Sequence, residues 1–375
     1  MSKIIKKSVV FIRSDLNTVG GGERVTVNLC NSLFPYFNTY LVNNYPNKSA
    51  YDILPDIQTV YLTKRKRKLR YTFIPSVIQL RMLLKEKHID AIVCVGMTDV
   101  LETFFACFCL NTQKYFYEQS TLNKFLPSNN TKKYSTKKKA FSHFQQWIIN
   151  HFFDKILVLT QKEKNNYINK FNIKNDKIAV IPNFLDEKLE KTPYHYNSQS
   201  KKIITVGRID YAKGYEILIK VAQIVLKNNP DWQWHIYGEG DIEYSRYIQN
   251  LIDESSLKNK VILKGTRKNI YNIYPEYALQ VVTSRYEGFS MVLLEGKANS
   301  LPAISFDIYS GPSDLIMNGI NGYLIPPGDI NEMANKINEL IKNEQKRIDF
   351  SQHARDNIDK FIKNNVILKW VALLK

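Results

Sequence analysis

Short apolar runs alternate with amphipathic stretches along almost the whole chain. In the first half, residues 8–12, 89–95, 115–117 and 155–160 are apolar enough to read as buried strands. Residues 23–33, 78–87 and 161–171 show helical spacing instead. In the second half the strand-like runs are 202–206, 233–237, 261–263, 279–282 and 303–306, and the helical patterns include 214–226, 242–254 and 331–342. This alternation predicts parallel α/β sheets. The two sets are separated by residues 187–201, which are polar and contain Pro193, and which read as an inter-domain linker. A chain of 375 residues is comfortable for two domains. The expected boundaries are 1–190 and 191–355, with an amphipathic end segment at 356–375.

The richest segment runs from Ser284 to Glu295. Glu287 is followed directly by Gly288, Phe289 and Ser290, and a second glutamate, Glu295, stands eight positions on. The preceding run reads as a strand and the following one as a helix. Glu287 therefore falls in the connecting loop, and Glu295 about two turns into the helix at ~3.6 residues per turn. Free N–H groups at such a helix start favour an anion, above all a phosphate. Carboxylates accept several hydrogen bonds and suit sugar or ribose hydroxyls. On spacing alone, two glutamates on a solvated helix face are the favoured reading, and it is the surrounding residues that reverse it.

A second motif, Gly207-Arg208 followed by Lys213-Gly214, closes one strand and opens a helix. Arg208 offers a planar fork for phosphate oxygens and Lys213 a point charge. Gly20-Gly21-Gly22 follows the first strand. It lacks the G-x-G-x-x-G spacing, so it reads either as a turn or as a backbone surface open to an anion. Tyr237-Gly238-Glu239-Gly240-Asp241 reads as strand end, turn and helix start. Ser310-Gly311-Pro312 and Asn318-Gly319 are turn markers.

These segments resemble the nucleotide-sugar-binding half of retaining glycosyltransferases with the GT-B fold, family 4, also called group 1. The family's E-x7-E element matches Glu287 and Glu295, and its G-R-x-x-x-x-K-G element matches residues 207–214. The resemblance implies two Rossmann-like domains facing across a cleft. It makes the N-terminal domain the acceptor binder and the C-terminal domain the donor binder, and it sends the end helix back to the N-terminal domain. It also implies that Arg208 and Lys213 bind the donor pyrophosphate, that Glu287 holds donor-sugar hydroxyls, and that Glu295 holds the ribose. Gly207, Gly238, Gly288, Phe289 and Ser290 would line the donor pocket, with Gly21 and Gly22 near phosphates and acceptor. Many members carry a histidine where Gln119 stands here. Glutamine can position a sugar but cannot carry a proton.

The implied reaction moves a sugar, with retention, from a nucleotide-diphosphate donor to a saccharide acceptor, with no cofactor. A UDP-sugar is the first expectation and GDP-mannose the second. The acceptor expected is lipid-linked, a lipopolysaccharide, capsule or O-antigen precursor. No Asp-x-Asp or H-E-x-x-H motif occurs, so no metal is expected. Two other readings stay open: a silent nucleotide-sugar or glycan-binding component of a polysaccharide assembly complex, and a GT-B-like nucleotide-sugar epimerase.

Charge adds one further partner. The net charge is +18, and residues 1–190 carry 29 Lys and Arg against 15 Asp and Glu. Residues 64–70 are almost continuously basic, and residues 119–153 contain six lysines and no acidic residue. No nucleic-acid module is visible, which disfavours nucleic acid as a partner. An anionic membrane surface suits such charge, as does a compositional bias with no partner at all. No run reaches the ~18 apolar residues of a membrane span, and the N-terminus lacks a signal-peptide pattern. The expected location is cytoplasmic, peripheral on the inner membrane face. Four cysteines at positions 30, 94, 107 and 109 all sit in apolar runs and read as core residues.

Overall fold

The computed structural model describes residues 6–14, 16, 20–46, 49–64, 69–122, 136–191, 195–267 and 269–375. The basic residues Arg65 to Lys68, Lys124, Lys132 and Lys133 lie outside that set, as do the side chains of Arg70 and Lys137 to Lys139. The chain divides into two compact units. One comprises residues 1–183 with 364–375, and the other residues 184–363.

The first unit holds a sheet of seven described strands: β1 (Ser8–Ile12), β2 (Asn38–Asn43), β3 (Gln58–Tyr61), β4 (Ala91–Val95), β5 (Gln113–Tyr117), β6 (Lys155–Val158) and β7 (Ile178–Val180). Their order is β3-β2-β1-β4-β5-β6-β7, and every pairing is parallel. Parallel strands covered on both faces need apolar residues throughout, and all five residues of β4 are buried. Thr160, read as strand from its sequence, instead caps the next helix, its hydroxyl accepting from the Glu163 N–H at 3.0 Å. The end helix Lys363–Leu374 belongs largely to this unit. Its Trp370 packs edge-on against Phe11 and Tyr117, and the Tyr115 hydroxyl donates to the Leu373 carbonyl at 3.3 Å.

The second unit repeats the plan with β8 (Lys202–Val206), β9 (Gln233–Tyr237), β10 (Val261–Leu263), β11 (Leu279–Val282), β12 (Ala303–Phe306) and β13 (Gly322–Ile325). The order is β10-β9-β8-β11-β12-β13, again parallel throughout. In both units the order reverses beside the first strand. Ligands of open α/β sheets bind at the carboxyl ends of the strands flanking such a reversal.

Two expectations need correction. The segment 187–201, read as the inter-domain linker, falls inside the second unit. It carries the helix Glu187–Lys191, and its polar groups are spent on the second unit. The Tyr196 hydroxyl donates to the Ala278 carbonyl and the Ser200 hydroxyl to the Glu276 carbonyl. The division between units falls earlier, between Asn183 and Phe184. Cys109 is also not a core residue: it is exposed, with φ +58°, in the turn that follows the helix Val100–Cys107. The other three cysteines are buried.

His235 on β9 is buried, with Nδ1 2.8 Å from the Tyr277 hydroxyl and Nε2 3.2 Å from Gln233 Oε1. Burial, and then the charges of Lys264 and Lys202, push its pKa down from 6.5 to about 4. Below pH 6.5 the unfolded chain takes up a proton that the folded chain refuses until about pH 4. Stability is therefore lost as pH falls through that window. Chemical denaturation at neutral and mildly acid pH should show a smaller acid loss for His235→Gln than for the parent chain.

Candidate functional site

The carboxyl ends of β8, β9 and β11 bring three of the sequence motifs together. Gly207 follows β8, and its N–H donates to the Tyr237 carbonyl at the end of β9 at 2.9 Å. Its own carbonyl accepts from the Tyr215 hydroxyl at 2.7 Å. Gly238 follows β9 with φ +147°, and a Cβ built there would lie 1.9 Å from the Gly207 carbonyl oxygen. After β11 the chain forms the loop that carries Glu287, then the helix Met291–Ala298.

The loop after β8 and the loop after β11 are joined directly. Lys213 Nζ donates to Glu287 Oε1 at 2.7 Å, with side chains 24% and 8% exposed. The Ser284 hydroxyl donates to the same oxygen at 2.7 Å. Backbone bonds fix the two loops further. The Arg285 N–H donates to the Ala212 carbonyl at 2.8 Å, and the Thr283 hydroxyl donates to the Lys213 carbonyl at 3.0 Å. The Arg285 guanidinium lies 4.0 Å from the centre of the Tyr211 ring, donates to the Tyr211 carbonyl, and forms an ion pair with Glu216. Lys213 is thus held by both its main chain and its side chain. A group whose position is over-determined in this way needs little reorganisation when a charge develops beside it.

Arg208 sits differently. Its side chain is 67% exposed and pairs with Asp210, at 2.7 Å from both Nε and Nη2 to Oδ2. Asp210 Oδ1 is buried and finds no hydrogen-bond partner among the described residues. The guanidinium is therefore parked on a neighbouring carboxylate rather than on Glu287. Glu295 is buried on the helix and accepts from the Tyr274 hydroxyl at 3.2 Å.

Ser290 stands at the N-cap of Met291–Ala298, fully buried, and its hydroxyl makes neither a cap bond nor any other among the described residues. The strand-to-helix turn around it is closely packed. Gly311, at φ +102°, brings its backbone against Ser290 and Phe289, and the Ser310 hydroxyl donates to the Gly288 carbonyl at 3.2 Å. The Phe289 ring packs 5.5 Å from Phe361. A helix start with open N–H groups, an unused hydroxyl and a lysine held by a second loop can receive an anion. The adjacent carboxylates can receive hydroxyls.

In the first unit, the helix Gly21–Leu33 begins within the glycine run. Gly20 caps it in extended backbone, and Gly22 approaches Arg13, which pairs with Glu23 at 2.7 Å and donates to the Val95 carbonyl. Gln119 follows β5 and so lies on the far side of β4 from the glycines. Its Nε2 is buried without a hydrogen-bond acceptor at normal geometry among the described residues. Arg13, Glu23 and the buried Asp99, which accepts the Ser14 N–H at 3.0 Å, make a charged cluster that the sequence motifs did not announce. Nothing lies within 4 Å of a Cβ added at Gly21. Gly21→Ala should therefore raise stability by up to about 1 kcal/mol through helix propensity. If backbone access at Gly21 serves ligand binding, the same variant loses activity while its melting temperature holds or rises.

Among the described residues no group of three His, Cys, Asp or Glu is placed to hold a metal ion. No helix there is long and apolar enough to cross a membrane.

Comparison with known proteins follows the same two units. The family model for glycosyl transferases group 1 matches residues 186–357, and that for Glycosyltransferase Family 4 matches residues 19–189. The chain is 34% identical over 238 residues to the poly(ribitol-phosphate) alpha-N-acetylglucosaminyltransferase of Staphylococcus aureus, covering 62% of this chain and 47% of that protein. It thus spans about half the length of that relative. It is 25% identical over 371 residues to an uncharacterized glycosyltransferase of Haemophilus influenzae, covering 98% of this chain and 100% of the other. The crystal structure of a mutant of S. aureus TarM in complex with Fondaparinux, alpha-GlcNAc-glycerol and UDP superposes with a TM-score of 0.79 at 19% identity, covering 98% of this chain and 100% of that one. With two family models spanning both units and two parallel sheets of matching plan, the chain belongs to the glycosyl transferases group 1 and has their GT-B fold.

Proposed function

We propose that this chain transfers a hexosyl or N-acetylhexosaminyl group from a UDP-sugar to a saccharide acceptor, with retention of anomeric configuration and without a metal. The observation that carries this reading is the Lys213–Glu287 pair, which joins two loops beside the start of the helix Met291–Ala298. Breaking the anomeric C–O bond leaves negative charge on the departing phosphate and an oxocarbenium-like sugar. Lys213, the helix N–H groups and the Ser290 hydroxyl would receive the phosphate charge. Arg208, exposed beside Asp210, would swing onto the diphosphate when the donor arrives. Glu287 would exchange part of its bond to Lys213 for donor-sugar hydroxyls. Glu295 would hold the ribose once its bond to the Tyr274 hydroxyl is shared. Same-face attack lets the departing phosphate accept the acceptor's proton, so no protein base is required.

The UDP reading draws on the UDP bound in the TarM structure. The acceptor reading draws on relatives named for poly(ribitol-phosphate), amylovoran and lipopolysaccharide synthesis. The first unit would bind this acceptor, with Gly21, Gly22 and Gln119 as contacts, and the acceptor would be lipid-linked at the inner face of the cell membrane.

A thermal-shift screen across UDP-, GDP- and ADP-sugars tests the donor. A ligand at 100 times its Kd stabilises the folded state by about 2.7 kcal/mol, and UDP-sugars should give the largest shift. Absence of a shift with every nucleotide sugar removes the proposal. Binding with neither transfer nor hydrolysis favours a silent binding protein, and conversion of the donor sugar without acceptor favours an epimerase.

A further inference from the structure

Both cations of the proposed diphosphate site are neutralised by carboxylates, but the two pairs are built differently. Lys213 and Glu287 come from separate loops, and Glu287 is also held by the Ser284 hydroxyl. Arg208 and Asp210 stand two residues apart on one loop, with side chains 67% and 22% exposed.

The local backbone explains why these two side chains meet. Ile209, between them, is tied to the segment after β9. Its N–H donates to the Glu239 carbonyl at 3.1 Å, and it pairs with Gly240 in a parallel bridge. A Cβ built at Gly240 would lie 2.0 Å from the Ile209 carbonyl oxygen, so the two segments touch along their backbones. Asp210 is itself extended, at φ −146° and ψ 170°. In extended backbone, residues i and i+2 project from the same side. Ile209 is buried, which leaves Arg208 and Asp210 together on the other side.

The two partners differ in freedom. Asp210 has a short side chain whose Oδ1 is buried, and its carbonyl accepts the Lys213 N–H at 3.1 Å. Arg208 has a long side chain that lies mostly in solvent. Its Nε and Nη2 both donate to Asp210 Oδ2, at 2.7 Å each, and Oδ1 finds no partner among the described residues. A guanidinium paired fork to fork with a carboxylate would use both oxygens. A diphosphate offers enough oxygens to take the whole fork, so such a ligand and Asp210 compete for one guanidinium.

We propose that Asp210 is an internal competitor for Arg208 that lowers the affinity of the site for a nucleoside diphosphate, so that the product nucleotide leaves after transfer. The inference rests on the reading of Arg208 as a diphosphate ligand. Two effects act together. Binding through Arg208 breaks its pair with Asp210, and it leaves a fixed carboxylate beside the incoming anion. An ion pair this exposed contributes little to folding, so its effect is on binding.

The test is calorimetric titration with UDP of the full-length parent chain, Asp210→Asn, Arg208→Ala and the double variant. Asn keeps the shape of Asp and the main-chain bond to Lys213. Asp210→Asn is expected to bind UDP about three- to tenfold more tightly than the parent, with the melting temperature of the ligand-free chain unchanged. Arg208→Ala should bind UDP more weakly. In that background Asp210→Asn should show at most about half of its gain on a logarithmic scale, because the cation it frees is gone. Asp210→Ser, which removes the charge with a smaller side chain, takes the place of Asp210→Asn if that variant does not fold. A fall in both melting temperature and affinity in the charge-removing variant would mark Asp210 as structural and overturn the proposal. UDP binding by the parent that removal of the charge leaves unchanged or weakens also overturns it, and leaves the donor assignment standing. An equal gain with and without Arg208 does the same, since it would reflect charge alone. No UDP binding by any of the chains removes the donor assignment and this proposal with it.

Discussion

Lys213→Ala is expected to lower sugar transfer by about 10²–10³-fold, the loss seen when one preorganised donor to a developing negative charge is removed. The chain should still fold. The lysine makes its contacts near the surface, while the loop around it stays held by Arg285 and Thr283 through main-chain atoms of residues 211–213. The variant leaves Glu287 with the Ser284 hydroxyl as a partner, so part of the effect belongs to a carboxylate that has lost its counter-charge. A double-mutant cycle with Glu287→Gln separates the two. Because the side chains are in direct contact, the double variant should be much less impaired than the product of the single effects. Initial rates at saturating and limiting donor decide between roles. A fall in kcat means that Lys213 acts on charge formed in the transition state, and a rise in KM alone means that it only holds the ground-state donor. Full transfer activity in Lys213→Ala would remove the assignment of the phosphate site.

The parts of this arrangement differ in how visible they are in the sequence. A central strand such as β4 is apolar throughout because helices cover both faces, and such a run stands out. The edge strand β3 is half exposed along its length, with Gln58 and Thr59 in the ladder, so it has no apolar signature. β7 has three residues and leads within two positions to Pro182, and β13 begins on a glycine inside a turn-rich segment, so neither stands out as a separate run. In the site, the E-x7-E and G-R-x-x-x-x-K-G spacings locate Glu287, Glu295, Arg208 and Lys213, since each spacing is local. The bond between Lys213 and Glu287 spans 74 positions, and the brace from Arg285 to Glu216 spans 69. No local pattern encodes either. Ser284 and Asp210 are silent for the same reason, being ordinary polar residues until folding sets them against a charge. Polar composition does not tell a solvated connection from a segment whose hydroxyls satisfy carbonyls of the unit it crosses, as those of Tyr196 and Ser200 do.

Gly238→Ala should be the most damaging single methyl addition at this site. The glycine sits at φ +147°, where side chains are strained, and its added carbon would come within 1.9 Å of the Gly207 carbonyl oxygen and 2.8 Å of the carbonyl carbon. Neither obstacle is a flexible side-chain end. Relief requires the ends of β8 and β9 to separate, which would stretch the bond from the Gly207 N–H to the Tyr237 carbonyl. The cost should be about 3 kcal/mol or more, combining backbone strain with overpacking. For a unit of this size that corresponds to a fall in melting temperature of roughly 6–12 °C. Function should suffer beyond stability, because Gly207 leads directly into Arg208 and the loop that carries Lys213. Measured well below its melting temperature, Gly238→Ala should lose most of its stabilisation by a UDP-sugar. Gly21→Ala provides the contrast, since its methyl group meets open space. If Gly238→Ala melts with the parent chain and responds fully to the donor, then the close approach of β8 and β9 does not position the phosphate-binding loop. The site would then have to be built from the β11 loop and the helix Met291–Ala298 alone.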